Sequence, residues 1–406
     1  MAHFFPALAH SDNIGYFDID NKRNLMSIRK LMPPAMSKQF LTSLSFDESI
    51  HYASFKQEDV IASQISNNND IHRVFVDCGA FHYAKEKTPK FLKGGFVNAV
   101  TAFEQYQRRH LSRGINCDFL LCSPDHIISP DTDDKTFLQR MHFTLTSAEL
   151  FIDLCRGNEQ ITPVGVVHGR TMEERAEATR ELIKIGFDYL AFGGLVPIAR
   201  NPSNVLSQLT GSNDINNVAI NPESPLGIAK EKGVKTHLFG LNSPDWYRWI
   251  KRLEIDSFDG SKLSTEGAAN GIIWVENEFS LDSPPKNASK LYQRMKIKNI
   301  KRRDLIRNGN ISSFEFSEDG HLEMNNSALD YLMSSRCTSK KCPHGPESHN
   351  CDPRVTGSIE HNMGRTILNS WTFDSLMRKI DLLYEKSKTS DDKVMTENWA
   401  KIEVLQ

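Results

Sequence analysis

The chain has 406 residues, 39% hydrophobic and 25% charged, with a formal net charge of −2. That length allows one large domain or two ordinary ones, and the composition is that of a globular protein. The balance excludes a globally basic nucleic-acid binder and a membrane-spanning apolar run, and seven scattered cysteines exclude a secreted disulfide scaffold, so a reducing, cytoplasmic setting is expected.

Residues 1–70 open irregularly, with Pro33–Pro34 and the polar SNNND at 66–70. They are expected to pack on the main domain as an N-terminal cap or to add a strand to it. The start, MAHFFPALAHSDN, has no basic segment and does not resemble a secretory signal.

From residue 71 a rhythm sets in. RVFVDCGAF (73–81), CDFLLCSPD (117–125), TPVGVVHGR (162–170), DYLAFGGL (188–195), KTHLFGL (235–241) and IDSFDGS (255–261) are short continuous apolar runs. Buried parallel strands look like this, because both of their faces are covered. Helical patterns fill the gaps. TMEERAEATRELIKIG (171–186) opens on a Thr cap with Glu three residues on and stops at Gly. NPSNVLSQL (201–209) and SPDWYRWIKRLE (243–254) open with a cap followed by Pro at the first helical position. Each apolar run ends in a polar residue or glycine: Asp77, Asp125, His168, Gly193–Gly194, Phe239–Gly240 and Asp259. A barrel gathers all strand ends at one mouth, whereas an open sheet gathers them only at its switch point, and no GxGxxG follows the first run. The expected fold is α/β, a (β/α)8 TIM-type barrel over 71–335.

Beyond it the charge changes. Residues 286–307 carry nine basic residues against one acid, Asp304, which suits contact with phosphates. SSFEFSEDGHLEMN reads as a hairpin. Residues 336–406 are expected to hold a metal segment and closing helices, one of them over 366–390. Cys337, Cys342 and Cys351, with His361, His344 or His349, lie among turn formers. Three thiolates and one imidazole are a closed tetrahedral set for a structural zinc ion.

Two acids stand out at the mouth, Asp77 before Cys78–Gly79 and Asp259 before Gly260. A carboxylate at a strand end costs free energy unless it is paired or used. Two of them facing one sugar carbon can divide nucleophilic attack from handling of the leaving group's proton. The glycines leave room for a ligand to approach.

These pieces resemble the tRNA-guanine transglycosylase superfamily over roughly residues 73–370. VDCGAF (76–81) is similar to its Asp-Ser-Gly-Gly-Phe motif, VVHGR (166–170) to its Val-Gln-Gly-Gly, and FGGL (192–195) to its Gly-Gly-Leu. HLFGLNSPDWYRWIKRLEIDSFDGS (237–261) follows its strand, Pro-led helix and Asp-x-Phe-Asp, and Cys337, Cys342, Cys351 and His361 match its three-Cys one-His zinc insert.

The resemblance implies a barrel enzyme that removes guanine from a nucleic acid and installs a 7-deazaguanine. It implies Asp259 as nucleophile on C1′, Asp77 as acid/base, Asp125 reading the base's N–H edge, and His168 bonding its carbonyl. The Gly194–Leu195 peptide would face the same base, and Cys78, Gly79, Gly169, Gly193, Phe239 and Gly240 would line the pocket. Lys262, Lys296, Lys298, Lys301, Arg302 and Arg303 would contact the polymer.

Where the family has Ser, Gly and Gln this chain has Cys78, Ala80 and His168. Its stretch after Asp259, SKLSTEG, replaces the usual Cys-x-x-Pro-Thr-Arg. Kept acids with altered substrate loops favour the branch that modifies DNA, known from phages and bacteria. A tRNA enzyme with unusual loops and a catalytically silent nucleic-acid-binding subunit are the alternatives, and an unrelated barrel hydrolase is a third. The expected partners are DNA, or tRNA in the alternative, and the free deazaguanine base, with no membrane; a homodimer stays open.

Overall fold

The computed structural model describes residues 2–7, 13–17, 23–27, 32–44, 71–86, 98–113, 116–215, 218–270, 272–286, 288–296, 359–390 and 399. Eight parallel strands form one sheet: β1 (His3–Pro6), β4 (Gln39–Ser43), β5 (Arg73–Asp77), β6 (Asp118–Cys122), β7 (Ile161–Val167), β8 (Tyr189–Phe192), β9 (Lys235–Leu238) and β10 (Ser257–Gly260). Around the sheet the order is β1-β10-β9-β8-β7-β6-β5-β4, and a parallel bridge between Ala7 and Leu41 brings β4 back to β1. Neighbours in sequence are therefore neighbours in space all the way round, which is the (β/α)8 barrel the strand rhythm predicts.

One boundary differs from expectation. Of the two expectations for residues 1–70 it is the added strand that holds, and twice over, since β1 pairs with β10 and β4 pairs with β5, so the barrel begins before residue 71. Two of the eight staves thus come from before residue 71. The same segment adds a small antiparallel pair, β2 (Asn13–Phe17) with β3 (Arg23–Ser27).

Side-chain alternation along each strand divides the core. Phe5, Leu41, Phe75, Leu120, Cys122, Val164, Val166, Tyr189 and Ala191 fill the barrel interior as one cluster. Their neighbours Phe4, Val167, Leu190, Phe192, Leu238 and Phe258 point outward to the helices. On the opposite flank Val74, Val76, Phe119 and Leu121 meet Phe103, Tyr106 and Phe151. Each such side chain contributes about 1.5–3 kcal/mol by leaving water.

The helices end where their caps put them. Thr171 accepts from the Glu174 N–H and Gly186 turns left-handed at φ 118°, bounding Met172–Ile185. Asn201 and Ser243 cap Pro202–Thr210 and Pro244–Arg252. Asp133 caps Asp134–Cys155, a helix of 22 residues that crosses from β6 to β7. The closing helix, Ile359–Ser387, packs Phe373 against Phe4, Phe258, Tyr247 and Trp274. Its Asn369 accepts the Trp274 N–H at 2.8 Å and donates to the Ile272 carbonyl at 3.0 Å. That pins the pair formed by β11 (Ile272–Glu276) and β12 (Tyr292–Lys296) to the barrel wall. Among the described residues no helix is long and apolar enough to cross a membrane.

Candidate active site

Parallel strands in one barrel end on one side, so Ser43, Asp77, Asp259 and the residues just after β6, β7, β8 and β9 share the C-terminal mouth. Period two then decides which of them face inward. Phe75 and Asp77 share the inner face of β5, Ser257 and Asp259 that of β10, and His237 and Phe239 that of β9.

The two candidate catalytic acids are held in the same manner. Gly79, left-handed at φ 83°, donates its N–H to Asp77 Oδ1 at 2.6 Å. Gly240, left-handed at φ 75°, donates its N–H to Asp259 Oδ1 at 2.9 Å. A side chain would strain that backbone, so glycine serves here to aim an amide at a carboxylate. Gly79 and Gly240, expected to line the pocket, have their N–H groups turned to the acids.

Their surroundings differ. Asp77 lies among protein atoms with the charges of Asp259 and Asp125 nearby. Burial first, then these like charges, push it from its ordinary 3.8 up to about 7, against hydrogen bonds from Ser43 and Gly79. Asp259 Oδ1 has a second neighbour, His237 Nε2 at 3.2 Å. His237 is fully buried, and burial holds its pKa below the usual value.

Asp125 is fixed at both oxygens. His168 Nε2 lies 2.6 Å from Oδ2, and the Cys78 thiol donates to Oδ1 at 2.9 Å. Tyr83 donates its hydroxyl to the Asp125 carbonyl at 2.6 Å, with its oxygen 3.2 Å from Cys78 Sγ. Cys78 and His168, expected to touch the base, both hold Asp125, which is expected to read the same base.

Close approach explains the glycines at β8. A Cβ on Gly193 would sit 2.6 Å from the His168 ring, and one on Gly194 would sit 2.8 Å from the Ile128 carbonyl. Gly169 similarly lets the backbone of Arg175 come close. Arg175 is buried and donates to the Gly193 carbonyl at 2.8 Å and to Gln208 at 3.2 Å, which ties the helix after β7 to the Gly-Gly turn. Leu195 is buried behind that turn, while Phe239 packs edge-on against Phe75 and His237. Gly260 also has a reason within the protein: its Cβ would lie 2.2 Å from Asn242 Oδ1.

The polymer and metal residues divide. Lys262 is half-buried within 3.9 Å of Glu266, to which Arg294 also donates at 2.8 Å and Trp274 at 2.6 Å. Lys296 ends β12. Lys298, Lys301, Arg302, Arg303, Cys337, Cys342 and Cys351 lie outside the described residues, as does the hairpin expected at SSFEFSEDGHLEMN. Of His361 only the backbone is described, in the first turn of the closing helix. Among the described residues no group of three or more His, Cys, Asp or Glu is placed to hold a metal ion.

Sequence reasoning missed Ser43, Tyr83, Arg175, Tyr189, His237 and Ser257. The available signal was a polar residue two places before a strand-end acid or glycine, as Ser257 stands before Asp259. At the opposite end of the barrel a cavity of about 500 Å³ is lined by strand-opening residues, among them His3, Arg73, Asp118, Tyr189 and Lys235. It contains none of the converging carboxylates, and barrel enzymes work at the other face.

No family model matches the chain. Over 188 residues it is 24% identical to a DNA-guanine transglycosylase of Salmonella montevideo, a match that covers 46% of this chain and 39% of that protein. The chain thus spans less than half the length of the curated relative it matches. In sequence the chain is similar to the transglycosylase superfamily, at a level that does not separate its branches.

Proposed function

We propose that this protein exchanges guanine in DNA for a 7-deazaguanine base through a covalent intermediate on Asp259. The observation that carries the proposal is two carboxylates at one mouth held in different surroundings. Asp259 has one oxygen engaged by two neighbours, and Asp77 is pushed up to about 7. One is suited to attack, the other to give and take a proton near neutral pH.

Asp259 attacks C1′ as the bond from C1′ to the base nitrogen breaks. The bonding pair goes to that nitrogen, which takes the proton of Asp77. The incoming base then gives its proton to Asp77 and attacks C1′, and the carboxylate of Asp259 leaves with its electron pair. Two displacements retain the sugar's configuration, and no oxidant or cofactor is consumed. Asp125, held from two sides, has lone pairs left for the N–H edge of the base, and the Gly194–Leu195 peptide offers its polar groups beside it.

DNA is the preferred polymer because the stretch after Asp259 departs from the tRNA enzymes and because the similar Salmonella protein is named for DNA. The target nucleotide must leave the duplex to reach the mouth, and the basic stretch from 286 would grip phosphates beside it. A zinc ion held by Cys337, Cys342, Cys351 and His361 would tie that C-terminal region together. The test is exchange of labelled guanine in DNA and in tRNA. Label entering DNA supports the proposal; label entering tRNA alone overturns the choice of polymer.

A further inference from the structure

We propose that His237, fixed in one tautomer by Ser257 and Tyr189, is the positioning residue that selects the attacking oxygen of Asp259 and speeds departure of the sugar from it. This rests on the base-exchange reading. Four side chains form a file through the barrel interior. The Tyr189 hydroxyl lies 2.5 Å from Ser257 Oγ, Ser257 Oγ lies 2.6 Å from His237 Nδ1, and His237 Nε2 lies 3.2 Å from Asp259 Oδ1. The pairing register makes this arrangement, since Ser257 is the direct partner of His237 across β10 and β9.

For a neutral ring the hydrogens can run only one way. Burial among Phe75, stacked at 4.2 Å, and Phe239, edge-on at 4.9 Å, holds the imidazole's pKa below its usual value, which favours the neutral ring with a single N–H. With that hydrogen on Nδ1, the Nε2 lone pair would face a carboxylate oxygen. With it on Nε2, every contact is a hydrogen bond: Tyr189 donates to Ser257, Ser257 donates to Nδ1, and Nε2–H donates to Asp259.

Asp259 Oδ1 then accepts from both His237 and Gly240, while Oδ2 has no hydrogen-bond partner among the described residues. Oδ2 is the atom that attacks. In the resulting ester Oδ1 is the carbonyl oxygen, and the same two donors face it. When the C1′–Oδ2 bond breaks, its electron pair returns to the carboxylate, and those donors stabilise the returning charge. His237 thus acts most on the second displacement.

The experiment compares turnover with the fraction of enzyme trapped as covalent adduct by denaturation on guanine-containing DNA and tRNA. His237→Phe removes the donor, whereas His237→Gln keeps an N–H that reaches toward Asp259. The expected result is a fall in turnover of about 100-fold for Phe with a several-fold higher trapped fraction, and recovery of most turnover by Gln. Equal losses for Phe and Gln with an unchanged trapped fraction would overturn the proposal. Should the Phe variant fail to fold, nitrogen-15 NMR of histidine-labelled wild type decides, with His237→Gln identifying the signal. A neutral ring protonated on Nε2 is expected, and protonation on Nδ1 refutes the relay. If wild type forms no adduct with either polymer, the base-exchange reading fails, and the NMR result still decides the tautomer.

Discussion

Asp77 and Asp259 are one residue type placed at the ends of two strands, and what surrounds them suits them to the different work proposed for each. Asp259→Asn removes the attacking oxygen's charge, and we expect base exchange to fall by at least about 10³-fold with no trapped adduct, read on a denaturing gel. For Asp77 the raised pKa sets two expectations. As the acid for the departing guanine it must be protonated, so adduct formation from guanine in a single turnover should decline as pH rises through about 7. The fold is linked to the same proton. A carboxyl raised from 3.8 to about 7 disfavours the folded state once both states are ionised. The penalty is absent below the unfolded value and complete above the folded one. Asp77→Asn should therefore stabilise the protein by about 1–3 kcal/mol near pH 8, after discounting for its partial exposure, and by nothing near pH 3. Thermal melts at the two pH values measure it, and equal shifts at both would show that burial is not what raises Asp77.

At the scale of elements, the sequence displays those parts of the barrel whose local signals agree. The strands from β5 to β10 are continuous apolar runs closed by an acid or glycine, and the helices after β7, β8 and β9 carry caps that the structure uses. β1 and β4 carry no such signal. They are no shorter than the legible strands, but HFFP and QFLTS end in neither an acid nor a glycine, and each gains its partners from barrel closure, which is a long-range event. Hence a chain lacking residues 1–70 leaves β10 and β5 each without one of its two partners. We expect that truncation to be insoluble or to lack a cooperative melt, whereas a merely capping segment would come away harmlessly.

The candidate site was legible in the same uneven way. Strand-end acids are visible in sequence, but the turning of His168 and Cys78 onto Asp125, and of His237 onto Asp259, depends on the packing of different strands. The turn after β8 tests that packing. Gly193→Ala pushes a methyl group into the His168 ring, 2.6 Å away, and should lower stability by about 1–3 kcal/mol while loosening Asp125. A variant with wild-type melting and exchange would show that the contact matters to neither.

For the whole molecule, the barrel supplies the acids and the region beyond β11 is proposed to supply the grip on the polymer. With a net charge of −2 the molecule as a whole does not attract nucleic acid, so the proposed affinity would come from the local basic stretch and weaken steeply with salt. The zinc proposal predicts one ion per chain by metal analysis, lost together with thermal stability in Cys342→Ser. The central claim is that Asp259 becomes covalently bonded to the sugar of a nucleic acid from which guanine has left. Its most direct test is to mix the protein with guanine-containing DNA, denature, digest, and weigh the peptides. The account predicts a peptide spanning Asp259 that carries a nucleotide lacking its base, absent in Asp259→Asn. An adduct on another residue, or exchange of labelled guanine with no adduct at any time, would contradict it.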